Sequence, residues 1–201
     1  MMEEQVIKKA WVINLETRKD KLKEFNSQYF PFFVERFSGL LAAKVGLGCT
    51  LSHLTILEKK HTFPFIVFED DCTIIESWDV LDKAINQLPN DWDMLYLGAN
   101  VTAPVIHYSE NLVRLKGAWM AHAIIYNSQS VIDYILSNRK IPEKVIIDDF
   151  YRTNVHAKFN CFMVTPMMAV QRPGKSDVRG GRFRDYTNVV KSNFEKYVNY
   201  K

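Results

Sequence analysis

The 201-residue sequence predicts an α/β fold in which a mixed sheet is flanked by helices. Short apolar runs of strand length, such as residues 11–15 and 65–68, alternate with segments whose apolar residues recur every three or four positions. Beyond Gly98 the apolar runs become shorter and closer together, which is typical of antiparallel strands added to a parallel sheet. Hydrophobic residues make up 47% of the chain, enough to bury a sizeable core.

The predicted elements follow one another in this order. The strand at residues 11–15 precedes a charged helical segment at 18–25, and leucines three or four apart predict a second helix at about 48–60. Ser77 is a suitable N-cap for a third helix, because its hydroxyl can accept from the first free backbone N–H groups. The later elements are short strands at 94–97, 105–108, 112–115 and 121–126, and a helix at about 127–137.

The charge distribution divides the chain at residue 171. Up to Gln171 there are 18 basic and 20 acidic residues, whereas residues 172–201 carry eight basic and three acidic ones. We therefore expect a catalytic domain at 1–171 and a basic C-terminal segment at 172–201 that belongs to the same domain. The overall charge of +3 argues against nucleic acid as a partner, since basic runs are missing.

Three features bear on the cellular environment. The cysteines are odd in number and lack the spacing of a metal knuckle, so we expect reduced thiols at Cys49, Cys72 and Cys161. The first residues are too charged for a secretory signal, and every apolar stretch is short of a span of about 20 residues. We expect a cytoplasmic protein without a transmembrane segment, whose basic tail leaves room for peripheral membrane contact.

An acidic triplet, Glu69-Asp70-Asp71, follows the apolar run 65–68. Residues i and i+2 of an extended chain point to the same side, so Glu69 and Asp71 can approach one ion while Asp70 faces elsewhere. Ligands gather at the carboxyl ends of strands in such sheets, and Mn²⁺ or Mg²⁺ prefers oxygen ligands. The alternative is a solvated acidic turn in which one aspartate caps the next element.

Two more polar clusters follow apolar runs. Arg18 begins a helix after residues 11–15 and suits a phosphate, although an ordinary exposed first turn explains this segment better when it is taken alone. Asp148 and Asp149 follow the apolar run 145–147 and provide a second carboxylate pair for proton abstraction; the alternative is a helix N-terminus. A lone histidine among apolar neighbours, such as His53 or His122, is more often a hydrogen-bonded core residue than a ligand.

These residues resemble glycosyltransferase family 25, which includes bacterial lipopolysaccharide galactosyltransferases and procollagen galactosyltransferases. Six segments match the family's motifs in order over most of the chain. They are Val12-Ile13-Asn14-Leu15 with Arg18 and Asp20, Gly48-Cys49-Thr50-Leu51-Ser52-His53, Phe68-Glu69-Asp70-Asp71, Trp92-Asp93-Met94-Leu95-Tyr96-Leu97-Gly98, Asp148-Asp149-Phe150, and Gln171-Arg172-Pro173-Gly174-Lys175-Ser176-Asp177. The order makes the resemblance specific. The chain is shorter than most members, which leaves the acceptor site the least defined.

The resemblance implies a GT-A-like, Rossmann-like nucleotide-sugar-binding fold. It also implies a nucleotide-sugar donor, UDP-galactose or UDP-glucose in known relatives, Mn²⁺ or Mg²⁺ as cofactor, and inversion at the anomeric carbon. By this likeness Glu69 and Asp71 hold the metal. The predicted donor-binding residues are Asn14, Arg18, Asp20, Ser52, His53, Asp70 and Arg179. Arg179 belongs to a Gly-hinged basic stretch whose charge suits closure over the diphosphate; the alternative is a solvated tail.

The predicted activity is transfer of a hexose to an acceptor hydroxyl on a carbohydrate or glycoprotein. Asp149, or failing it Asp148, is the expected base that removes the proton of this hydroxyl. Two other functions fit the same residues. One is a metal-dependent hydrolase or phosphoesterase that acts on nucleotide sugars without an acceptor, and the other is a non-catalytic carbohydrate-binding module.

Overall fold

A computed structural model describes residues 7–177 and 181–199. The molecule has a mixed eight-stranded sheet with helices on both faces, as the sequence predicts. The strands are β1 Lys9–Asn14, β2 Val34–Ser38, β3 Phe65–Glu69, β4 Cys72–Ile74, β5 Met94–Tyr96, β6 Asn100–Val101, β7 Ile106–Ser109, β8 Leu112–Arg114, β9 Ala118–Trp119, β10 Ala123–Tyr126, β11 Cys161–Val164, β12 Ala169–Gln171, β13 Gly174–Ser176 and β14 Arg182–Arg184. The helices are α1 Lys19–Asn26, α2 Leu47–Leu57, α3 Trp78–Ile85, α4 Gln129–Ser137, α5 Ile147–Phe150 and α6 Thr187–Tyr197, and a π-helical turn spans Tyr151–Val155.

The strand order of the main sheet creates a crevice next to β1. The order is β2-β1-β3-β10-β5-β11-β8-β7, and β1 pairs in parallel with both β2 and β3. Helix α1 lies on one face of the sheet and α2 on the other, so the connections leave β1 and β2 in opposite directions. This is a topological switch point, where sheets of this kind bind ligands at the carboxyl ends of the strands.

Each face of the sheet carries its own hydrophobic core, and β3 shows how the sequence produces both. Phe65 and Val67 pack into the core under α2 and α4, while Ile66 and Phe68 pack into the core under α1 and α3. All four side chains are at most 1% exposed. Successive side chains of this entirely apolar strand therefore point into opposite cores. The first polar residue, Glu69, comes at the end of the strand.

Two local features depend on contacts between segments that are far apart in the sequence: the start of helix α5 and the glycine that follows β5. The apolar run 145–147 leads into the short helix α5, so Asp148 and Asp149 lie at a helix N-terminus, the alternative that the sequence left open; the N–H of Ile147 donates to Thr50 Oγ1 at 3.1 Å. Gly98 follows β5, where the chain passes Ala169 so closely that a Cβ would lie 1.8 Å from the carbonyl oxygen. Only glycine permits this approach between β5 and β12.

The described part of the basic segment is folded against the rest of the chain. Strands β13 and β14 form a hairpin, and α6 lies beside β6, where Asn193 donates to Asn100 at 2.8 Å. The expected closing stretch includes Arg179, which lies outside the described residues.

Cys49, Cys72 and Cys161 are free thiols, as predicted. Among the described helices, none has the length and hydropathy needed to cross a membrane.

Candidate functional site

A cavity of about 970 Å³ lies at the carboxyl ends of β1 and β3. It brings together residues from both halves of the sequence. The charged residues that line it are Arg18, Asp20, Lys21, Glu24, Lys44, Glu69, Asp70, Asp71, Asp148, Arg172, Lys175, Asp177 and Arg184. A cavity of this size, with opposite charges on its wall, suits a charged ligand of the size of a nucleotide.

Arg18 and Lys21 form the cationic side of the cavity. Arg18 donates to both oxygens of Asp20, at 3.0 and 2.9 Å, and forms an ion pair with Asp177. The hydrogen bond that Arg18 donates to Asp20, together with the charges of the nearby carboxylates, raises the pKa of Arg18 above its ordinary value. Lys21 Nζ lies 3.4–3.5 Å from carboxylate oxygens of Asp70, Asp71 and Asp177. Burial disfavours its charge, but these acids raise the pKa of Lys21 above its ordinary value.

Asp70, the middle acid of the triplet, joins the ends of β1 and β3. Its Oδ2 accepts from Asn14 Nδ2 at 2.7 Å, and its Oδ1 lies 3.5 Å from Lys21 Nζ. Asn14 is 1% exposed and also accepts from Arg36 Nε at 3.0 Å. Asn14, predicted near the nucleotide, is therefore already occupied by protein partners and is not among the described residues that line the cavity. Its contacts position Asp70.

Glu69 is held by two side chains of α2. His53 Nε2 lies 3.1 Å from Glu69 Oε1, and the Cys49 thiol donates to the same oxygen at 3.4 Å. Burial opposes ionisation, but the hydrogen bond and charge of His53 lower the pKa of Glu69 below its ordinary value. The three donor atoms lie within 4.8 Å of one another. This nitrogen, sulfur and oxygen set is of the kind that Zn²⁺ accepts, unlike the all-oxygen set that the acidic triplet predicted.

Among the three acids of the triplet, Asp71 has the negative charge that its surroundings stabilise least. Its Oδ2 accepts from Gln171 Nε2 at 3.2 Å and faces Lys21, while its buried Oδ1 has no hydrogen-bond partner among the described residues. Burial, followed by the charge of Glu69, raises the pKa of Asp71 to about 7. A carboxylate with a free oxygen and an unfavourable negative charge fits a site for a divalent cation.

Asp148 and Asp149 occupy different environments, although they are adjacent. Asp148 lines the cavity, and its Oδ2 accepts from the backbone N–H of Met120 at 3.3 Å. Burial raises the pKa of Asp148 above its ordinary value. Asp149 pairs with Arg152 at 2.7 Å, accepts from Trp119 Nε1 at 3.3 Å and is not among the described lining residues. Of the two, Asp148 is therefore the one that faces the cavity.

Ser52 and Gly48 shape the cavity wall. The Ser52 hydroxyl donates to the carbonyl of Gly48 and accepts from the N–H of Leu40, both at 2.8 Å. A Cβ on Gly48 would lie 2.3 Å from the carbonyl oxygen of Leu40. Ser52 lines the cavity but is only 1% exposed. His53 is equally buried and is not among the described residues that line the cavity. These two predicted ligand-binding residues thus hold the loop and Glu69 in place.

Sequence reasoning missed three polar contacts of the acidic triplet. Arg172 donates from its side chain to the carbonyl of Asp70 at 3.1 Å, and Gln171 donates to Asp71. Lys21 contacts both aspartates. The signal for Lys21 is present in the sequence, because it lies three residues after Arg18 on a helix and so shares its face. Nothing local indicates that Gln171 and Arg172 return to this point.

Comparison with known proteins gives little further information. No protein-family model matches the sequence, and no curated protein matches it. Among solved structures, the chain is similar to the crystal structure of A197 from STIV, with a TM-score of 0.49 and 14% sequence identity over 80% of this chain and 83% of that chain.

Proposed function

We propose that this protein is a metal-dependent glycosyltransferase, similar to family 25, that transfers a hexose from a nucleotide sugar to an acceptor hydroxyl with inversion. The observation that carries the proposal is the convergence of three groups in one cavity: the cations Arg18 and Lys21, the acid Asp71 with a free oxygen, and the separate acid Asp148. The order of the six sequence motifs supports membership of the family and a GT-A-like arrangement of the sheet.

The cationic side of the cavity suits the diphosphate of the donor. The Arg18 guanidinium presents a planar set of donors, and Lys21 adds a compact charge three residues later. Asp177 occupies both cations in the structure, and a diphosphate offers the same kind of anionic oxygen with more charge. We infer that the diphosphate replaces the carboxylate of Asp177 at these two side chains.

The residues at the end of β3 fit a divalent cation. Asp71 offers a buried oxygen without a partner among the described residues, and Glu69 lies two positions before it. In the proposal these two acids hold Mn²⁺ or Mg²⁺. When bound, the cation neutralises negative charge on the departing nucleoside diphosphate. His53 and Cys49 orient Glu69, and Asn14 keeps Asp70 in place at the strand end.

Asp148 is the base in this proposal, in preference to Asp149. Its carboxylate faces the cavity, and burial raises its pKa above the ordinary value, which strengthens it as a base. Asp148 takes the proton of the acceptor hydroxyl as the hydroxyl oxygen forms a bond to the anomeric carbon. The bond from that carbon to the phosphate oxygen breaks on the opposite face, and its electron pair leaves with the nucleoside diphosphate.

The test is incubation with labelled nucleotide sugars, with and without Mn²⁺ and a panel of glycoside acceptors. We expect metal-dependent transfer to an acceptor, and calorimetric binding of UDP that strengthens with Mn²⁺. Release of free sugar at the same rate with and without acceptors would identify a hydrolase instead. Absence of UDP binding in both conditions would leave only a non-catalytic carbohydrate-binding role.

Asp148→Asn and Asp149→Asn form a matched pair for the assignment of the base. Both remove one charge from the first turn of α5, but only Asp148 faces the cavity. We expect Asp148→Asn to lower kcat by about 10²–10⁴-fold with donor affinity retained, the usual range for general-base catalysis. Asp149→Asn should stay within a few-fold of the wild type; the reverse result would move the role to Asp149.

A further inference from the structure

A second cavity, of about 390 Å³, lies between the sheet and helix α6. Its wall is mostly apolar, with Ala99, Met167, Ala169, Val170, Val190 and Phe194 among its residues. Small-molecule sites commonly have volumes of about 300–1,000 Å³ and combine an apolar lining with a few polar groups. The size and lining of this cavity therefore suit an apolar chain or ring.

One buried polar side chain faces this cavity. His122 is 1% exposed and lines it; one side of its ring interacts with the backbone of Ala169, which leaves a ring nitrogen without a hydrogen-bond partner among the described residues. Burial lowers the pKa of His122 below its ordinary value, so the neutral ring offers one N–H donor and one acceptor. Buried polar groups in folded proteins are nearly always paired. A ligand oxygen in this cavity would supply the missing partner.

The second cavity adjoins the first. Four residues line both: Met120, Gln171, Pro173 and Tyr186. Met120 has a φ of 79°, in the left-handed region that a side chain seldom adopts, and its N–H donates to Asp148. Strained backbone of this kind persists where the surrounding structure maintains it, often beside a ligand. The shared wall therefore connects the proposed base directly to the apolar cavity.

We propose that the second cavity binds the apolar part of the acceptor, and that the acceptor is an amphiphilic glycoside with an alkyl or aryl group. Its apolar group fills the space beneath α6, an oxygen near this group bonds to His122, and its sugar hydroxyl reaches Asp148 past Met120. The role of this ligand as acceptor rests on the proposed function, whereas the binding of an amphiphile beneath α6 does not.

The test uses octyl β-D-galactopyranoside below its critical micelle concentration, with methyl β-D-galactopyranoside as the reference. Isothermal titration should show the octyl glycoside binding at least about tenfold more tightly, because burial of only two methylenes supplies that factor. Val190→Trp fills the cavity from α6 and should abolish this preference. Thr187→Trp, which enters the same cavity from the start of α6, is the second filling variant should the first fail to fold.

Asn188→Trp is the matched control, because it adds the same side chain to α6 at an exposed position outside both cavities. It should bind the octyl glycoside like the wild type. His122→Phe should bind octyl glycoside more weakly, since it keeps the ring but loses the hydrogen bond. Equal affinity for both glycosides, or equal loss in Asn188→Trp and Val190→Trp, would overturn the inference. UDP binding measured on the same samples reports on the proposed function separately.

Discussion

Replacement of Asp71 by Asn should stabilise the metal-free protein at alkaline pH. The folded protein surrounds Asp71 with other acids and little water, which raises its pKa to about 7 from an ordinary value of 3.8. The native state therefore binds more protons than the unfolded state between these two values. Stability contributed by protonated Asp71 is complete below about pH 4 and is lost as pH rises through about 7.

The size of the effect follows from the same two values. A gap from 3.8 to about 7 corresponds to roughly 4 kcal/mol, which is the upper limit of the stabilisation expected for Asp71→Asn above pH 7. Asn is neutral at every pH and its side-chain oxygen can still accept from Gln171. For a chain of this size each kcal/mol shifts Tm by roughly 2–4 °C, so we expect a rise of several degrees at pH 8.

The assay is thermal unfolding of both proteins in chelator at pH 4.5 and pH 8, followed by the same scan with Mn²⁺. The variant should gain stability at pH 8 and little at pH 4.5, and Mn²⁺ should raise Tm only in the wild type. Glu110→Gln is the control, because it removes one negative charge at an exposed position. A variant that is less stable than the wild type at pH 8, or a stability difference independent of pH, would contradict an unfavourable charge on Asp71.

Three further substitutions test single contacts. Asp177→Asn frees the two cations that the carboxylate occupies, so UDP should bind about three- to tenfold more tightly by titration calorimetry; weaker binding would show that Asp177 assists the ligand. Gly98→Ala places a Cβ against the carbonyl of Ala169 and should cost at least about 2 kcal/mol in urea unfolding, whereas an unchanged midpoint would contradict the close approach. Ser77→Ala removes the oxygen that accepts from Asp79 N–H and should cost about 1 kcal/mol in the same assay; a loss below about 0.3 kcal/mol would mean that the cap contributes little.

The elements that the sequence predicts well have strong local signals. Helix α3 begins where its N-cap Ser77 indicates, and β3 coincides with the run 65–68 extended by one residue. The run 145–147 leaves both a strand end and a helix start open, because three consecutive apolar residues are compatible with either, and the structure has the helix start. Its conformation depends on a contact with Thr50, almost a hundred positions earlier in the chain.

The candidate site could be located from sequence, but the partners of its residues could not. Polar residues after apolar runs include both Asp71, which follows the strand β3, and Asp148, which lies in the first turn of α5, and both line the cavity. The choice between Asp148 and Asp149 depends on Arg152, which pairs with one of them, and on which carboxylate faces the cavity. The path of the backbone through α5 determines which of the two carboxylates faces the cavity, and no local sequence pattern encodes this path.

The acidic triplet shows why residue type alone does not assign a role. Three adjacent carboxylates have similar intrinsic chemistry, yet His53 and Cys49 hold Glu69 and Asn14 holds Asp70, while Asp71 keeps a buried oxygen unpaired among the described residues. The folded chain thus stabilises the negative charge of Glu69, whereas burial raises the pKa of Asp70 above its ordinary value and that of Asp71 to about 7. If Asp71 had only a structural role, an uncharged side chain would serve better at this position. In the proposed function a positive ligand offsets this unfavourable energy, which is why the stability of Asp71→Asn and its response to Mn²⁺ should change together.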